Sequence, residues 1–456
     1  MFSKLQQYLQ PKSVNRDIRV DRLGETVAGA TLHWPDVPVQ HLDVSIARKH
    51  IPLRCFGNVI VAPVEDRRVS SVYWPNGRQQ ALIKGRRFKL RSYSSPPEPA
   101  PAPVAHVTNP AFWIGRLDRH FGHFTLEVAP RLVQAIEERP NDLYVFCAWP
   151  DDYRPDDTPS YFYQVIDWFG VPRDQVQIVA EPTEFAELRA GAQPEYMNGP
   201  GVCDAYLDSL DRVQRGHGVH APNGPPVFVT RAEMPIAKGR LAGEVYLAKV
   251  LAEVGVRVIA PEKMSLRAQL EVYGTARWII FSEGSALHGR QLLGRLAQNI
   301  LVINRREASR LAQPGLLARC DHLAYYDGVL GEIYTLNPGT GDRNTSTTLS
   351  ICAPKGLREM FAAFGLNLSG VWSDDAFVAA RDADVLAYAE AQRKIYSKIP
   401  VEDHAQLDTI FRSSLEDAGL GGLWPQVAPK LARASEIGRI NRDRRLGQGR
   451  GSNTAV

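Results

Sequence analysis

A regular alternation of strand and helix patterns between Pro225 and Ile303 constrains the fold more than any other feature of this chain. Short apolar runs, typical of buried strands, alternate with segments in which apolar residues recur at helical spacing. The predicted strands are residues 227–229, 256–259, 278–281 and 300–303, and the predicted helices are residues 241–254, 266–275 and 286–296. Strands joined in this way form right-handed βαβ units. The alternation therefore predicts a doubly wound α/β sheet of the nucleotide-binding type.

A second α/β pattern precedes this one. It has an amphipathic helix at residues 124–136, which Pro130 is expected to kink or split, a strand at 143–147, a helix at 162–169 and a strand at 176–179. Strand and helix again alternate, as in a parallel sheet covered by helices. Between Gly191 and Pro226 the sequence is rich in Gly, Pro, Asn and Asp, and we interpret it as a passage between two domains.

The flanking segments are less regular. A proline-rich stretch at residues 94–103 predicts a semi-rigid linker, and it follows short strand-like runs at 58–61 and 70–74. Helices are predicted near residues 357–364 and 382–395, and the arginine-rich end from Arg433 is expected to be frayed or disordered. These boundaries define an N-terminal β-rich segment (1–95), a first α/β domain (96–215), a second α/β domain (216–355), and C-terminal helices with a basic tail (356–456).

Charge and cysteine content exclude several classes of protein. A net charge of +4 over 456 residues is too slight to indicate a nucleic-acid partner. The five cysteines are scattered and form no Cys-x-x-Cys pair, which argues against a zinc site and a disulfide framework and for a reducing compartment. The N-terminus lacks the apolar core of a signal peptide, and no apolar run approaches the roughly 20 residues of a membrane helix. We therefore expect a cytoplasmic protein.

The basic tail adds an expectation about location. Its cationic residues could hold the protein at the surface of the inner membrane, since each basic residue near anionic lipid contributes about 1 kcal/mol. The alternative is a solvated helical face. The residues concerned are Lys430, Arg433, Arg439, Arg442, Arg444 and Arg445.

The turn that follows the third strand of the main pattern is the first candidate site. The apolar run 278–281 stops at Ser282, and Glu283, Gly284 and Ser285 lead into the next predicted helix. A helix N-terminus presents unpaired N–H groups and a partial positive charge, which suits a phosphate. Gly284 lets the backbone approach a ligand, whereas Glu283 would repel a phosphate and fits a sugar or ribose hydroxyl better. The alternative is a plain turn in which Ser285 caps the helix.

Cationic side chains stand at the same predicted edge of the sheet. Arg231 directly follows the first strand, and we expect it beside the Glu283-Gly284 turn, where its guanidinium would clamp a diphosphate through paired hydrogen bonds. Arg240 begins the next helix and Glu244 lies one turn further, so the two either contact substrate or form a surface pair. His288 follows the turn and either donates to a phosphate or hydroxyl or is a partly buried polar group.

A histidine and a glutamate in the first α/β region share the spacing of a catalytic pair. His123 and Glu127 are four residues apart and lie on one helix face, the geometry of an imidazole oriented by a carboxylate. Packing alone could also account for the pair. A metal site is disfavoured, because no third histidine or cysteine lies at a suitable spacing.

Taken together, these segments resemble the core of the family 61 glycosyltransferases, often described in bacteria as capsular polysaccharide biosynthesis proteins. The resemblance covers residues 58–303 and rests on the order and spacing of several motifs. They are Phe-Gly122-His123-Phe-Thr-Leu-Glu127-Val-Ala-Pro-Arg131-Leu, Val-Phe-Val-Thr-Arg231, Arg240-Leu-Ala-Gly-Glu244, Val-Ile-Ala-Pro-Glu262 and Ser282-Glu-Gly-Ser-Ala-Leu-His288. The chain differs from the family at Gly243, where Asn is usual, and at Glu283, where many members have a His-Gly-Ala turn.

The resemblance implies a GT-B arrangement, in which two Rossmann-like domains face a cleft. Residues 96–215 would bind the acceptor and residues 216–355 the nucleotide sugar. The implied reaction is an inverting transfer, without metal or other cofactor, of a hexosyl or pentosyl group to a hydroxyl of a surface polysaccharide or lipid-linked glycan. His123 would be the base with Glu127 as its orienter or replacement, Arg231 and the 283–285 turn would bind the diphosphate, Glu244 or Glu283 the nucleoside, and His288 would be an auxiliary donor.

Two other functions remain open from the sequence. The departures at Gly243 and in the turn would suit a non-catalytic GT-B scaffold or binding protein in polysaccharide assembly. Similar arginines would also serve a transferase of a non-sugar group, such as pyruvyl, onto polysaccharide.

Overall fold

The computed structural model describes residues 45–46, 53–63, 69–74, 96, 98–148, 160–195, 202–337 and 343–451, and within these ranges it describes side chains between residues 53 and 442. Most of the chain forms two sheets with helices packed between and around them. The α/β class predicted from the sequence is therefore confirmed.

The first sheet is mixed and contains seven strands in the order β3-β2-β8-β5-β6-β7, with β4 paired to one end of β8. Strands β5, β6 and β7 are parallel, and β2 runs antiparallel to β3 and β8. A separate short pair joins β1 (Ser45–Ile46) to β9 (Val202–Cys203). The strands of the sheet are β2 (Leu53–Val61), β3 (Val72–Tyr73), β4 (Ala105–Val107), β5 (Ala111–Arg116), β6 (Leu143–Cys147), β7 (Val176–Val179) and β8 (Thr183–Gly191).

Four helices accompany the first sheet, and the first two are joined by one π-helical turn, Phe124–Val128. The helices are α1 (Phe121–His123), α2 (Ala129–Glu138), α3 (Ser160–Trp168) and α4 (Asp204–Gly216). The predicted helix 124–136 is thus split, as expected, just before Pro130. Pro130 occupies the first turn of α2, where its missing N–H costs no helical hydrogen bond.

The second sheet is entirely parallel, with the order β11-β10-β12-β13-β14. Two of its inner strands, Trp278–Ser282 and Asn299–Ile303, are buried on both faces, which explains their long apolar runs. Its strands are β10 (Val227–Val229), β11 (Arg257–Ile259), β12 (Trp278–Ser282), β13 (Asn299–Ile303) and β14 (His322–Tyr326), and its helices are α5 (Glu244–Glu253), α6 (Leu266–Thr275), α7 (Leu287–Arg290) and α8 (Gln313–Leu317). The fifth strand, β14, was not predicted.

The C-terminal part begins with a hairpin and continues as helices. The hairpin strands β15 (Val329–Ile333) and β16 (Leu349–Cys352) are antiparallel. The helices are α9 (Pro354–Ala363), α10 (Asp374–Ala391), α11 (Arg393–Tyr396), α12 (His404–Asp417) and α13 (Trp424–Gly451). The tail from Arg433, predicted to be frayed or disordered, is helical as far as Gly451. The side chains of Arg444 and Arg445 and all of residues 452–456 lie outside the described residues.

One hydrophobic core joins the two sheets. It includes Phe146 of the first sheet and Phe281 of the second, with Val165 of α3, Leu210 of α4 and Leu270 of α6. The opposite face of the second sheet is covered by α9 and belongs to another cluster. Strands β2 and β3, from the predicted N-terminal segment, are part of the first sheet.

Two predicted boundaries differ from the structure for a tertiary reason. The predicted helix 286–296 is only the single turn α7, since Gly294 N donates 2.9 Å to Gln214 Oε1 and a Cβ at Gly294 would overlap Asp211. The predicted passage 191–226 contains helix α4, whose apolar face is buried at Tyr206, Leu207 and Leu210. In both cases a contact between α4 and the 290–295 segment overrides the local pattern.

Candidate functional site

The strand order of the second sheet places a crevice between β10 and β12. In chain order the sheet reads 2-1-3-4-5, so the chain leaves β10 toward one edge and β12 toward the other. In such sheets the ligand lies outside the carboxyl ends of the strands at this switch point. Thr230 and Arg231 follow β10 there, and Glu283 and Gly284 follow β12.

Arg231 lies directly against Gly284. A Cβ added to Gly284 would overlap Arg231 Nη1, so only glycine allows this approach. Arg231 Nε and Nη2 donate to Gly239 O at 3.1 and 3.0 Å, and Nη2 also donates to Lys238 O. Among the residues that the structure describes, Nη1 has no acceptor. One side of the guanidinium is therefore anchored, and the other is available to an anion.

Arg231 is buried among charged neighbours. Burial lowers the pKa of this guanidinium, and the carboxylates of Glu244, Glu262 and Glu283 offset that effect only in part. Among the described contacts, none of these three glutamates accepts a hydrogen bond from the guanidinium of Arg231. Their effect on its pKa is therefore a longer-range charge interaction. A bound phosphate would supply two charge-assisted hydrogen bonds at this position.

Glu244 is fully buried, and both of its oxygens are used by the protein. Oε1 accepts from Thr230 Oγ1 at 2.7 Å and from Arg231 N at 2.6 Å. Oε2 accepts from Ser282 Oγ at 3.0 Å and from Leu241 N at 3.2 Å. The carboxylate thus ties the end of β10 to the end of β12, and in this arrangement it fixes the crevice and does not face a ligand.

The glycine at position 243 has a local structural cause. It adopts a left-handed conformation (φ 83°) at the start of α5, and its N–H donates 2.9 Å to Asp384 Oδ2. A Cβ here would lie 2.9 Å from the ring of Phe377. Glycine is therefore required by α10 packing against this turn.

Glu283 is likewise fully buried and fully bonded. Its Oε2 accepts from the backbone N–H groups of Arg305 and Arg306 at 2.9 and 3.1 Å, and its Oε1 accepts from Ser309 Oγ at 2.6 Å and from the Arg306 guanidinium. Burial opposes ionisation, but Arg306, Ser309 and Arg305 outweigh it, so the pKa of Glu283 is lowered. Glu283 therefore orders the loop after β13.

Arg240 faces away from the crevice. Its Nη2 donates 2.6 Å to Asp384 Oδ1 of α10, and its Nη1 donates 2.6 Å to Ala232 O. Both members of the Arg240–Asp384 ion pair are largely buried. The alternative of a surface pair with Glu244 was wrong, because Glu244 lies inside the sheet edge.

Ser285 and His288 meet the first half of the molecule at helix α1. A Cβ on Gly122 would lie 2.7 Å from His288 Cδ2, 3.2 Å from Ser285 Cβ and 3.3 Å from His120 Cε1. Gly122 thus allows α1 to approach α7 closely. The contact brings the histidines of both halves to one place beside the Glu283-Gly284 turn.

His123 and Glu127 form the pair expected from their spacing. His123 Nδ1 lies 2.7 Å from Glu127 Oε1, and their side chains are 33% and 15% exposed, so solvent reaches the imidazole while the carboxylate is more sheltered. An ionised carboxylate only accepts hydrogen bonds, so Nδ1 carries the proton and Nε2 is the second reactive nitrogen. The rings of His120 and His123 are 4.9 Å apart.

The π-helical turn between His123 and Pro130 shapes this pair. Thr125 Oγ1 donates 2.9 Å to Phe121 O and so competes for the helical hydrogen bonds of α1. Arg131 Nη1 donates 2.8 Å to Glu127 O and anchors the turn from below. π-Helical turns inside helices occur frequently at functional sites.

Several residues at the site were given no role by the sequence analysis. His120 contacts both His123 and Gly122, and its position in the His-x-x-His run was the available signal. Glu262 follows β11, and partial desolvation of its carboxyl raises its pKa despite the opposing effect of Arg231. Gln291 is hydrogen-bonded to both His288 and Glu195. Glu195 is far from the other two in sequence, so no local sequence pattern indicates that contact.

In the part of the chain that the structure describes, no three His, Cys, Asp or Glu side chains are arranged to hold a metal ion. Among the helices that the structure describes, none is both long enough and apolar enough to cross a membrane. No protein-family model matches the chain, and the search of curated proteins finds no match.

Proposed function

We propose that this protein is an inverting, metal-independent glycosyltransferase that moves a sugar from a nucleotide-sugar donor to a hydroxyl of a surface polysaccharide or lipid-linked glycan. The observation that carries the proposal is the position of Arg231 against Gly284 at the switch point of the parallel sheet. The resemblance of the motifs to family 61 glycosyltransferases supports it. In this proposal the two sheets correspond to the halves of a GT-B enzyme.

The donor would bind at the crevice between β10 and β12. Arg231 Nη1 and the backbone of the Gly284-Ser285 turn would contact the diphosphate. Because α7 has a single turn, the helix dipole contributes less than the sequence suggested, and Arg231 supplies most of the positive charge. Glu262, an exposed carboxylate at the end of the neighbouring strand, replaces Glu244 and Glu283 as the acceptor for ribose hydroxyls.

The transfer would be a single displacement. The acceptor hydroxyl oxygen forms a bond to the anomeric carbon while the bond from that carbon to the phosphate oxygen breaks. His123 Nε2 takes the hydroxyl proton, and Glu127 stabilises the imidazolium through Nδ1–H. The electron pair leaves with the nucleoside diphosphate, whose charge is stabilised by Arg231.

Release of nucleoside diphosphate from a panel of nucleotide sugars, measured in the presence of EDTA, tests this function. We expect slow release from one donor and faster release when acceptor glycan is added. His123→Ala should lower the acceptor-dependent rate by about 10²–10⁴-fold, the usual contribution of a general base.

The matched control is His106→Ala. His106 also bonds a carboxylate, Glu184, at 2.8 Å, but it lies on β4 in an exposed position away from the crevice. This variant should keep the wild-type rate. Silence of the wild-type protein across the donor panel would favour a non-catalytic scaffold, and full activity of His123→Ala would remove His123 from the mechanism.

A further inference from the structure

A buried hydrogen-bonded chain connects Glu195 of the first half to His288 of the second. Gln291 Nε2 donates to Glu195 Oε1, and Gln291 Oε1 lies 2.6 Å from His288 Nδ1. Glu195, Gln291 and His288 are between 1% and 5% exposed, so water does not compete for these bonds. The hydrogen bond between Glu195 and Gln291 connects residues that are 96 positions apart in sequence.

The direction of each hydrogen bond follows from the carboxylate. Arg319, itself fully buried, donates to Glu195 Oε2 at 2.6 Å and to Oε1 at 3.1 Å, so the carboxylate of Glu195 acts only as an acceptor. The amide of Gln291 must therefore direct its NH₂ group toward Glu195. Its carbonyl oxygen then faces His288, and because that oxygen only accepts, His288 Nδ1 must carry a proton.

The surrounding backbone packs closely against these hydrogen-bonded side chains. A Cβ on Gly315 would overlap both Gln291 Nε2 and Glu195 Oε1. Arg319 is held in turn by Leu293 O at 3.0 Å and Gly315 O at 2.7 Å. On the other side of the imidazole, Gly122 allows α1 to contact His288 Cδ2.

We propose that Glu195 and Gln291 are positioning residues that hold His288 with its proton on Nδ1, at the contact between α7 and α1 beside the Glu283-Gly284 turn. Within the proposed transferase, on which this role depends, they fix the imidazole in one tautomer and one orientation next to the turn that would contact the diphosphate.

Nitrogen-15 NMR of the protein labelled at histidine reads the tautomer directly. The His288 signals are assigned by their loss in His288→Gln. At a pH where His288 is neutral, we expect Nδ1 in the protonated range and Nε2 in the unprotonated range. A wild-type spectrum with the proton on Nε2 would overturn the proposal, whether or not any variant folds.

The variant Gln291→Met keeps the side-chain length but removes both hydrogen bonds, and it should shift the His288 population toward the Nε2–H tautomer. The matched control is Gln214→Met, since Gln214 is also buried and bridges two segments, through Gly294 N and Arg295 O, without contacting His288. The control should leave the tautomer unchanged. An unchanged tautomer in Gln291→Met would overturn the role of Gln291.

The two proposals can fail separately. The tautomer requires no substrate, so it stands if no nucleotide sugar is turned over. Conversely, if donor turnover is found and the His288 tautomer is the opposite one, the transferase stands and the positioning chain is wrong.

Discussion

At the scale of single residues, the two buried glutamates of the site act on the backbone. Glu244 accepts the N–H of Arg231, and Glu283 accepts those of Arg305 and Arg306, so each fixes the first residues after a strand. Ligand contacts in a doubly wound sheet come from these same positions. The carboxylates therefore determine where the crevice backbone lies, while Arg231 and Glu262 are the side chains that would contact the ligand in the proposed function.

The lowered pKa of Glu283 predicts a loss of stability in acid. The unfolded carboxyl has a pKa of about 4.3, and the folded one lies below its ordinary value. The stabilisation is therefore complete above the unfolded pKa and is lost as the pH falls through the folded pKa. Glu283→Gln should cost about 3 kcal/mol at neutral pH, and the difference from wild type should shrink below about pH 4.

Urea unfolding from about pH 7 to pH 3 measures this difference. The control is Glu416→Gln, which removes an exposed partner of Arg412 and should cost about 0–1 kcal/mol at any pH. A constant difference between Glu283→Gln and wild type over that range would show that Glu283 does not titrate with unfolding.

At the scale of elements, the site depends on two very short helices. Helix α1 has three residues and α7 has four, and Gly122 is where they touch. Short helices have little stability of their own, because nucleation is costly and few hydrogen bonds follow. Their positions are set by the contact between them and by the π-helical turn.

Gly122→Ala should therefore disturb the site more than the fold. The added Cβ would lie 2.7 Å from His288 Cδ2, so α1 and α7 must move apart. We expect a destabilisation of about 1–3 kcal/mol, typical of overpacking, and a larger relative loss in donor release. Gly216→Ala, where the added Cβ would meet no atom of another segment within 4 Å, is the control and should change neither quantity much. Equal donor release by both variants would contradict a role for this contact.

The elements also show how far the sequence predicts this fold. The bounds of strands β10, β12 and β13 agree with the prediction to within one residue. A strand buried on both faces has an uninterrupted apolar sequence, which can be recognised without knowledge of the tertiary structure. Helix α4 and the short α7 were misjudged because residues 290–295 bond to α4, a contact between segments far apart in sequence. The meeting of Arg231 with Gly284 follows from strand order, whereas the chain from Glu195 to His288 crosses both halves and leaves no local pattern.

At the scale of the whole molecule, the two halves are joined by a common core and by the Arg319–Glu195 pair. We expect β6 and β13 to open in one cooperative unit. Their amide hydrogens should exchange with the same free energy of opening as urea is added. Glu195→Gln leaves the buried Arg319 with a neutral partner and should lower both values by about 3–5 kcal/mol.

Hydrogen exchange followed by mass spectrometry provides these values for both sheets. Asp167→Asn, which removes an exposed partner of Arg173, is the control and should leave both within about 1 kcal/mol of wild type. If Glu195→Gln weakened β6 alone, the sheets would be independent folding units.

The buried Arg319–Glu195 pair also has a consequence during synthesis. Glu195 leaves the ribosome well before Arg319, and a chain that has not reached Arg319 also lacks α9, so the apolar face of the second sheet that α9 covers is exposed. Such surfaces make incomplete chains prone to aggregate. A polypeptide stalled before residue 319 would thus contain His120, His123 and Glu127 without the complete contact between the two halves, so the proposed activity, which needs both halves, can first arise after translation past that point.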